Sequence, residues 1–293
     1  MAHDASFVRD GRTARLTAYN GRGQTLTTQG ETAGRILLAE CTLLDVEEHL
    51  RKSPKVIVPT GSTEQHGPHA PFGTDAILAT EVSMRLARRI GALVAPTLTY
   101  GLSGDHRGYA GIPFVSAKTF TGLVQDIAVS LAGGGFREII FVNGHYTNWI
   151  VLPAAIMEIG DQLPRDTIIF PFNYWDALPA EQLAEYLSAR VGMHANIGET
   201  SAVLAVDESL VNLDHAVREY PAFPVEPTPA VVSAYFFSGR GTVPRASHSG
   251  TWGDPSGSTA ELGRRYLDQI EEASVRFVEG VESVFRAFPQ VSQ

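Results

Sequence analysis

Val58-Pro59-Thr60-Gly61-Ser62-Thr63-Glu64-Gln65-His66-Gly67-Pro68-His69-Ala70-Pro71-Phe72-Gly73-Thr74-Asp75 is the stretch that decides how this chain is read. The residues leading into it, Lys55 to Val58, form a short apolar run of buried-strand type, and the Gly, Pro and Thr that follow belong to loops. The polar cluster therefore falls where a strand ends. In an open α/β sheet that edge is where ligands bind. Glu64 and His66 are two residues apart, which in extended chain turns both side chains to one face. Asp75 returns after a turn rich in Pro and Gly, so Glu64, His66 and Asp75 can converge on one cation.

Outward from this stretch, strand and helix patterns alternate. Leu44 to Leu50 is helical in period and Val56 to Val58 is a strand. Ile77 to Ile90 is an amphipathic helix with Leu78, Val82, Leu86 and Ile90 on one side. Ala92 to Pro96 is a further strand, and Phe120 to Leu131 a helix ended by Gly133-Gly134-Gly135. Glu138 to Val142 and Thr167 to Phe170 are strands that run into polar loops. The repeated strand, polar loop and helix predict an α/β fold with a largely parallel sheet and helices on both faces. The first 34 residues are polar and Gly/Thr-rich, and Asn20-Gly21-Arg22-Gly23 between Arg15–Tyr19 and Gln24–Thr28 is a turn signal. A β-hairpin arm (residues 1–34) ahead of a single domain (35–293) is expected. The Pro-rich stretch Pro221 to Pro229 reads as a surface loop.

A chain of 293 residues can bury a large core. Its formal net charge of -9 and the lack of any basic run argue against a nucleic-acid partner, since phosphate neutralisation needs clustered Lys and Arg. No apolar stretch approaches the ~20 residues that span a bilayer, and the polar start lacks signal-peptide character. A soluble, cytoplasmic protein without a membrane partner is expected. Cys41 is the only cysteine, so no thiolate cluster can form and any metal must use His, Asp and Glu.

His145 follows the apolar run Ile139-Ile140-Phe141-Val142 in the tight loop Asn143-Gly144, which brings it to the same sheet edge as Glu64 and His66. His194-Ala195-Asn196-Ile197-Gly198-Glu199 adds one more imidazole and a carboxylate, so Glu199 is a natural further ligand or base. A single His or Asp in a loop is usually a cap or a solvated group. Four such groups delivered by two strand ends are hard to explain that way, because burying them without a cation is costly. For His69 the choice is between ligand and loop-orienting hydrogen bond. For His106, in Gly104-Asp105-His106-Arg107-Gly108, it is between substrate contact and surface decoration. Trp149 and Trp252 read as core or rim aromatics, Trp175 as a possible pocket wall, and His3, His49 and His215 as solvated.

With these residues in view the chain resembles the creatininase (creatinine amidohydrolase) family. The matching residues are Pro59 to His69 with Thr74-Asp75, then Asn143-Gly144-His145, then His194 with Glu199-Thr200-Ser201, and finally Gly253-Asp254-Pro255. The resemblance implies a three-layer α/β/α fold and a centre of one or two divalent ions per chain. It implies hydrolysis of a C–N bond in a cyclic amide or related small molecule, and homo-oligomers, frequently hexamers. Carried over by position, Glu64, His66, Asp75 and His145 are ligands and Asp75 can bridge two ions. Creatinine-hydrolysing members have a ligand Glu where this chain has Thr147, which makes Glu199 the fifth ligand. They also carry a Trp and a Glu where this chain has Arg190 and Met193, which argues against creatinine itself. Tyr146 and Trp175 do match, implying aromatic walls around a small polar ring.

The chemistry expected is metal-assisted hydrolysis, in which bound ions acidify water and polarise a carbonyl. His194 is the acid/base and His106 a substrate contact. Imidazole and carboxylate ligands suit Zn, Mn or Fe(II). Two rivals stay open: cleavage of a C–C or C–O bond in a cyclic polyol ketone at the same metal site, and a non-catalytic oligomeric scaffold.

Overall fold

A computed structural model of the chain describes residues 35–288 other than Arg240, together with a short strand pair near the N-terminus. That pair, β1 (Arg9–Asp10) and β2 (Thr13–Ala14), is antiparallel and belongs to an N-terminal unit ending at Arg35. The hairpin expected between Arg15 and Thr28 lies outside the described residues.

The larger unit opens with α1 (Leu43–Lys52), β3 (Lys55–Thr60), α2 (Thr74–Ile90), β4 (Leu93–Val94) and α3 (Ala117–Gly133). Next come β5 (Glu138–Asn143), α4 (Leu152–Met157), β6 (Ile168–Asn173) and α5 (Ala180–Tyr186). It closes with β7 (Gly192–His194), α6 (Ile197–Val206), α7 (Pro229–Phe236), α8 (Val243–Ala246), β8 (Trp252–Gly253) and α9 (Ala260–Ala287).

Strands β4-β3-β5-β6 form one parallel sheet in that order. Successive side chains point to opposite faces. Ile57, Ile140 and Val142 meet α2, α6 and α9 in one core, and Val56, Val58, Ile139 and Phe141 meet α3 and α4 in the other. Both faces are covered, which is why β3 and β5 read as continuous apolar runs rather than alternating ones. Each such Val, Ile or Phe stabilises the fold by roughly 1.5–3 kcal/mol on burial, enough to hold the strand ends rigid. This is the three-layer α/β/α architecture expected.

Three local expectations are corrected. The strand expected from Ala92 to Pro96 is reduced to Leu93–Val94 at the sheet edge. The one expected to end at Phe170 runs on to Asn173, level with Asn143. His49 is not solvated: it is half-buried, with Nε2 3.1 Å from the Lys55 carbonyl. Among the described residues no helix is long and apolar enough to cross a membrane.

The chain leaves β3 for β4 on one side and then crosses to β5 on the other, so the strand order reverses around β3. The crevice beyond the carboxyl ends of β3 and β5 is the topological switch point, where ligands bind in open sheets.

Candidate metal centre

Thr60, Asn143 and Asn173 stand side by side in register at the ends of β3, β5 and β6. Asn143 is the staple. Its Nδ2 donates to His145 O at 2.6 Å and Asn173 Oδ1 at 2.7 Å, and its Oδ1 accepts from Asn148 Nδ2 at 3.2 Å. Asn148 in turn donates to Gly61 O at 3.0 Å and accepts from Leu102 N at 3.0 Å, joining three loops in one buried network. The backbone of the β5 loop passes so close to α2 that a Cβ at Gly144 would sit 2.6 Å from Asp75 O. Glycine at this position is what lets His145 and Asp75 share a site.

Asp75 lies in the first turn of α2 and reaches two imidazoles at once: Oδ1 is 3.2 Å from His66 Nε2, and Oδ2 is 2.9 Å from His145 Nδ1. Glu64 Oε2 is 3.2 Å from the same His145 nitrogen. These groups are buried, and Glu64 Oε2, His66 Nε2 and Asp75 Oδ2 lack any aligned hydrogen bond despite the short distances. Donors that face one another without bonding to one another point at a common centre.

The imidazole protons say the same. Thr147 Oγ1 donates its one proton to Leu102 O at 2.9 Å, so its contact with His145 Nε2 is one it accepts. That fixes Nε2–H and leaves Nδ1 directed at Glu64 and Asp75. Without a cation His145 must carry a second proton: burial opposes the charge, but Glu64 and Asp75 lift its pKa well above the ordinary range. His66 behaves alike, burial being outweighed by Asp75, and is pushed up to about 9. Asp75 is held far below the usual carboxylate range because His66 and His145 overcome its burial. Burial raises Glu64 to about 7 against the pull of His145. One divalent ion or two would replace these protons, and the donor set of imidazole nitrogens and hard carboxylate oxygens fits Zn, Mn or Fe(II).

Beside this core lie the later residues. His194 donates Nε2–H to Gln65 O at 2.8 Å and turns Nδ1 toward Glu64 Oε1 at 3.7 Å. Burial and the charge of His66 push its pKa down to about 3, so it is a neutral imidazole. Glu199, in the first turn of α6, accepts Ala195 N–H on Oε2 at 2.7 Å, and Ala195 takes a left-handed φ of 50° to make that bond. His66, His194 and Glu199 each offer a ligand atom within 4.8 Å of the others. His69 is not in that set; its Nε2 meets Thr200 Oγ1 at 3.0 Å, the loop-orienting alternative. His106 is buried rather than on a surface loop. Its Nδ1 accepts from Gln65 Nε2 at 3.1 Å, so the proton is on Nε2, which faces Glu64 Oε1 at 3.3 Å. Gln65 is oriented for this by Gly67 N–H on Oε1.

The cluster floors a pocket of about 780 Å³, part of it open to solvent. Trp175, Met193, Phe236 and Trp252 wall it, and Tyr146 stands at the rim, stacked on Phe237 with centroids 5.4 Å apart. Arg190 does not line the pocket; its carbonyl takes a hydrogen bond from Tyr220. Asp105 and Phe236 also belong to the site, and Trp252, expected as a core or rim aromatic, walls it. They arrive from a short turn, a short helix and a two-residue strand with no period of their own, and only a Gly-Asp-His triplet marks the first.

The creatininase profile, described as creatinine amidohydrolase, matches residues 39–278. The chain belongs to the creatinine amidohydrolase family. It is 36% identical over 219 residues to the creatinine amidohydrolase of Pseudomonas putida, covering 67% of this chain and 84% of that protein. A mycofactocin precursor peptide peptidase of Mycobacterium ulcerans (strain Agy99) is 32% identical over 231 residues, 76% of this chain and 83% of the relative. A 3-dehydro-scyllo-inosose hydrolase of Thermotoga maritima is 30% identical over 186 residues, 61% of this chain and 59% of the relative. Among solved structures, a mutant creatininase of zinc–zinc type superposes with a TM-score of 0.71 at 28% identity, covering 87% of this chain and 99% of that one. A manganese creatininase gives 0.68 at 27% identity, covering 87% and 100%. As a creatininase-family member the chain is a metal-dependent hydrolase.

Proposed function

We propose that this creatininase-family protein hydrolyses a C–N bond in a small, neutral cyclic amide, with Glu64, His66, Asp75, His145 and Glu199 holding one or two ions of zinc, manganese or iron. The observation that carries the reading is that Glu64, His66 and Asp75 each offer a ligand atom within 4.8 Å of the others, while Glu64 Oε2, His66 Nε2 and Asp75 Oδ2 are buried and unbonded. Bound ions at such a site acidify water and polarise the scissile carbonyl. His194 carries the proton. With Nε2–H committed to Gln65 O, its Nδ1 takes a proton from water and returns it to the leaving nitrogen. Trp175 and Tyr146 hold the ring from the side, and His106 Nε2–H steadies Glu64 at the substrate's edge.

Met193 on the pocket wall supports a ring other than creatinine, because an apolar wall leaves the polar amino and imino groups of an acylated guanidine unpaired. The Pseudomonas and Mycobacterium relatives support the C–N bond. The Thermotoga relative supports a second reading, a cyclic polyol ketone as substrate, at lower identity and coverage.

Elemental analysis of protein reconstituted with Zn²⁺ or Mn²⁺ tests the site. One to two ions per chain are expected. Well under one ion per chain, or His66→Ala holding as much metal as the parent, overturns it. A panel of neutral cyclic amides, creatinine and polyol ketones given to the loaded protein then tests the substrate, and turnover of creatinine at the ordinary enzymatic scale of ~1–10³ per second would refute the reading of Met193.

The assembly proposed is a homo-oligomer, and the resemblance implies a hexamer. Large apolar side chains left exposed at Tyr100, Trp149, Ile150 and Met157 support it. A monomer mass by light scattering would overturn it.

A further inference from the structure

Thr147 offers the centre no anionic oxygen, and Glu199 is grouped not with His145 but with His66 and His194. A different carboxylate stands beside His145. Asp105 lies in a short turn, Ser103–His106, and offers an oxygen within 4.8 Å of ligand atoms on Glu64 and His145. The side chain is buried, and Oδ1 is fully enclosed without a hydrogen-bond partner. Oδ2 has His106 Nε2 at 3.9 Å, too far for a hydrogen bond. A carboxylate enclosed in this way is costly unless something cationic meets it.

The turn that presents Asp105 is tied to the metal-facing loops. Thr147 Oγ1 donates to Leu102 O at 2.9 Å and Asn148 Oδ1 accepts from Leu102 N at 3.0 Å. The Ser103 and Ser62 hydroxyls are in hydrogen-bond contact, and Gly241 N–H donates to Gly104 O at 3.0 Å. The residue that lacks the carboxylate thus anchors the segment that brings one.

We propose that Asp105 is a metal ligand on the His145 side of the centre, adding a carboxylate oxygen to those of Glu64 and Asp75 there. This rests on the metal reading above and extends it: the centre has a terminal carboxylate on each side, Asp105 with His145 and Glu199 with His66, and Asp75 between them.

The test uses the full chain, stripped by chelator and titrated calorimetrically with Mn²⁺ and with Zn²⁺, as parent, Asp105→Asn and Asp105→Glu. Asp105→Asn is expected to lose one binding event or to weaken it at least tenfold, with Asp105→Glu recovering part of the loss. The melting temperature of stripped Asp105→Asn stays at or above that of the stripped parent, because a buried charge is removed from beside Glu64. The metal-induced rise in melting temperature shrinks. Parent-like stoichiometry and affinity in Asp105→Asn would overturn the inference, as would an equal loss of stability in stripped and loaded forms, which marks a purely structural residue. If Asp105→Asn does not fold, Asp105→Glu decides: with Co²⁺ bound, a shift of its visible absorption bands supports ligation and an unchanged spectrum refutes it. A parent that takes up no metal removes the functional reading itself, whereas a parent that binds and a variant that binds equally remove only Asp105.

Discussion

A threonine beside a histidine shows how much a single hydroxyl can decide. Thr147 has one proton, spent on Leu102 O, and its acceptance of His145 Nε2–H leaves one tautomer, with Nδ1 turned to Glu64 and Asp75. Partners that fix the tautomer of a ligating imidazole are typically worth about 10–100-fold in metal affinity. Thr147→Val, equal in shape but without the hydroxyl, should weaken Zn²⁺ or Mn²⁺ binding by about that factor, whereas Thr147→Ser should stay near the parent. Competition titration against a chromogenic chelator reads the difference, and equal affinity in the Val variant would show that the hydroxyl does not orient His145. Glu64, His66, Asp75 and His145 were legible in the sequence because each follows closely on an apolar strand or opens a helix. Asp105, Asn148 and the Gln65 amide were not. Their roles depend on partners far along the chain: Gln65 meets His106 and Gly250, 41 and 185 residues away, and Asn148 meets Gly61, 87 residues away, and no local pattern encodes such distances.

Elements were readable where one period held and obscure where burial was complete. The amphipathic stripe of Leu78, Val82, Leu86 and Ile90 foretold α2, and the triple glycine after Leu131 marked where α3 ends. The run Ala202 to Val206 carried no stripe, since α6 is buried between α2 and α9 and is apolar on nearly every side. Periodicity cannot separate such a helix from a strand. Its start, however, is written in the sequence: Asn196 caps it by accepting Glu199 N–H at 2.9 Å. That cap places Glu199 in the first turn, where the helix dipole favours a carboxylate, and the strained Ala195 backbone aims His194 and Glu199 into the same pocket. Strain of this kind persists where surrounding packing over-determines it and clusters at functional sites. The pocket-forming α7 is hidden in the sequence because it starts at Pro229, inside a Pro-rich stretch that reads as loop.

Across the whole molecule the sheet separates two kinds of buried charge. Its carboxyl edge gathers the metal-site donors, while its amino edge ties β3, β5 and α9 together through Lys55, whose Nζ is 3.2 Å from Glu138 Oε2 and in contact with Glu282. The parallel order that sends His145 and Glu64 to one end also sends Glu138 and Lys55 to the other, in register with each other. Burial first, and then the neighbouring Glu282, raise Glu138 from its ordinary 4.5 to about 7, while Lys55 is raised and Glu282 lowered, both away from neutral pH. A carboxyl whose pKa is higher folded than unfolded favours the fold in its protonated form, so its contribution is complete below about pH 4.5 and is lost as pH climbs through about 7. Glutamine imitates the protonated acid at every pH. Glu138→Gln should therefore melt close to the parent near pH 5 and several degrees above it near pH 8, a difference that widens steadily between the two. Because groups at the metal site titrate in both proteins alike, the comparison isolates Glu138. Parallel melting curves for parent and variant from pH 5 to pH 8 would mean that Glu138 stays ionised beside Lys55 throughout, and that the amino edge of the sheet is held by a full ion pair rather than by a shared proton.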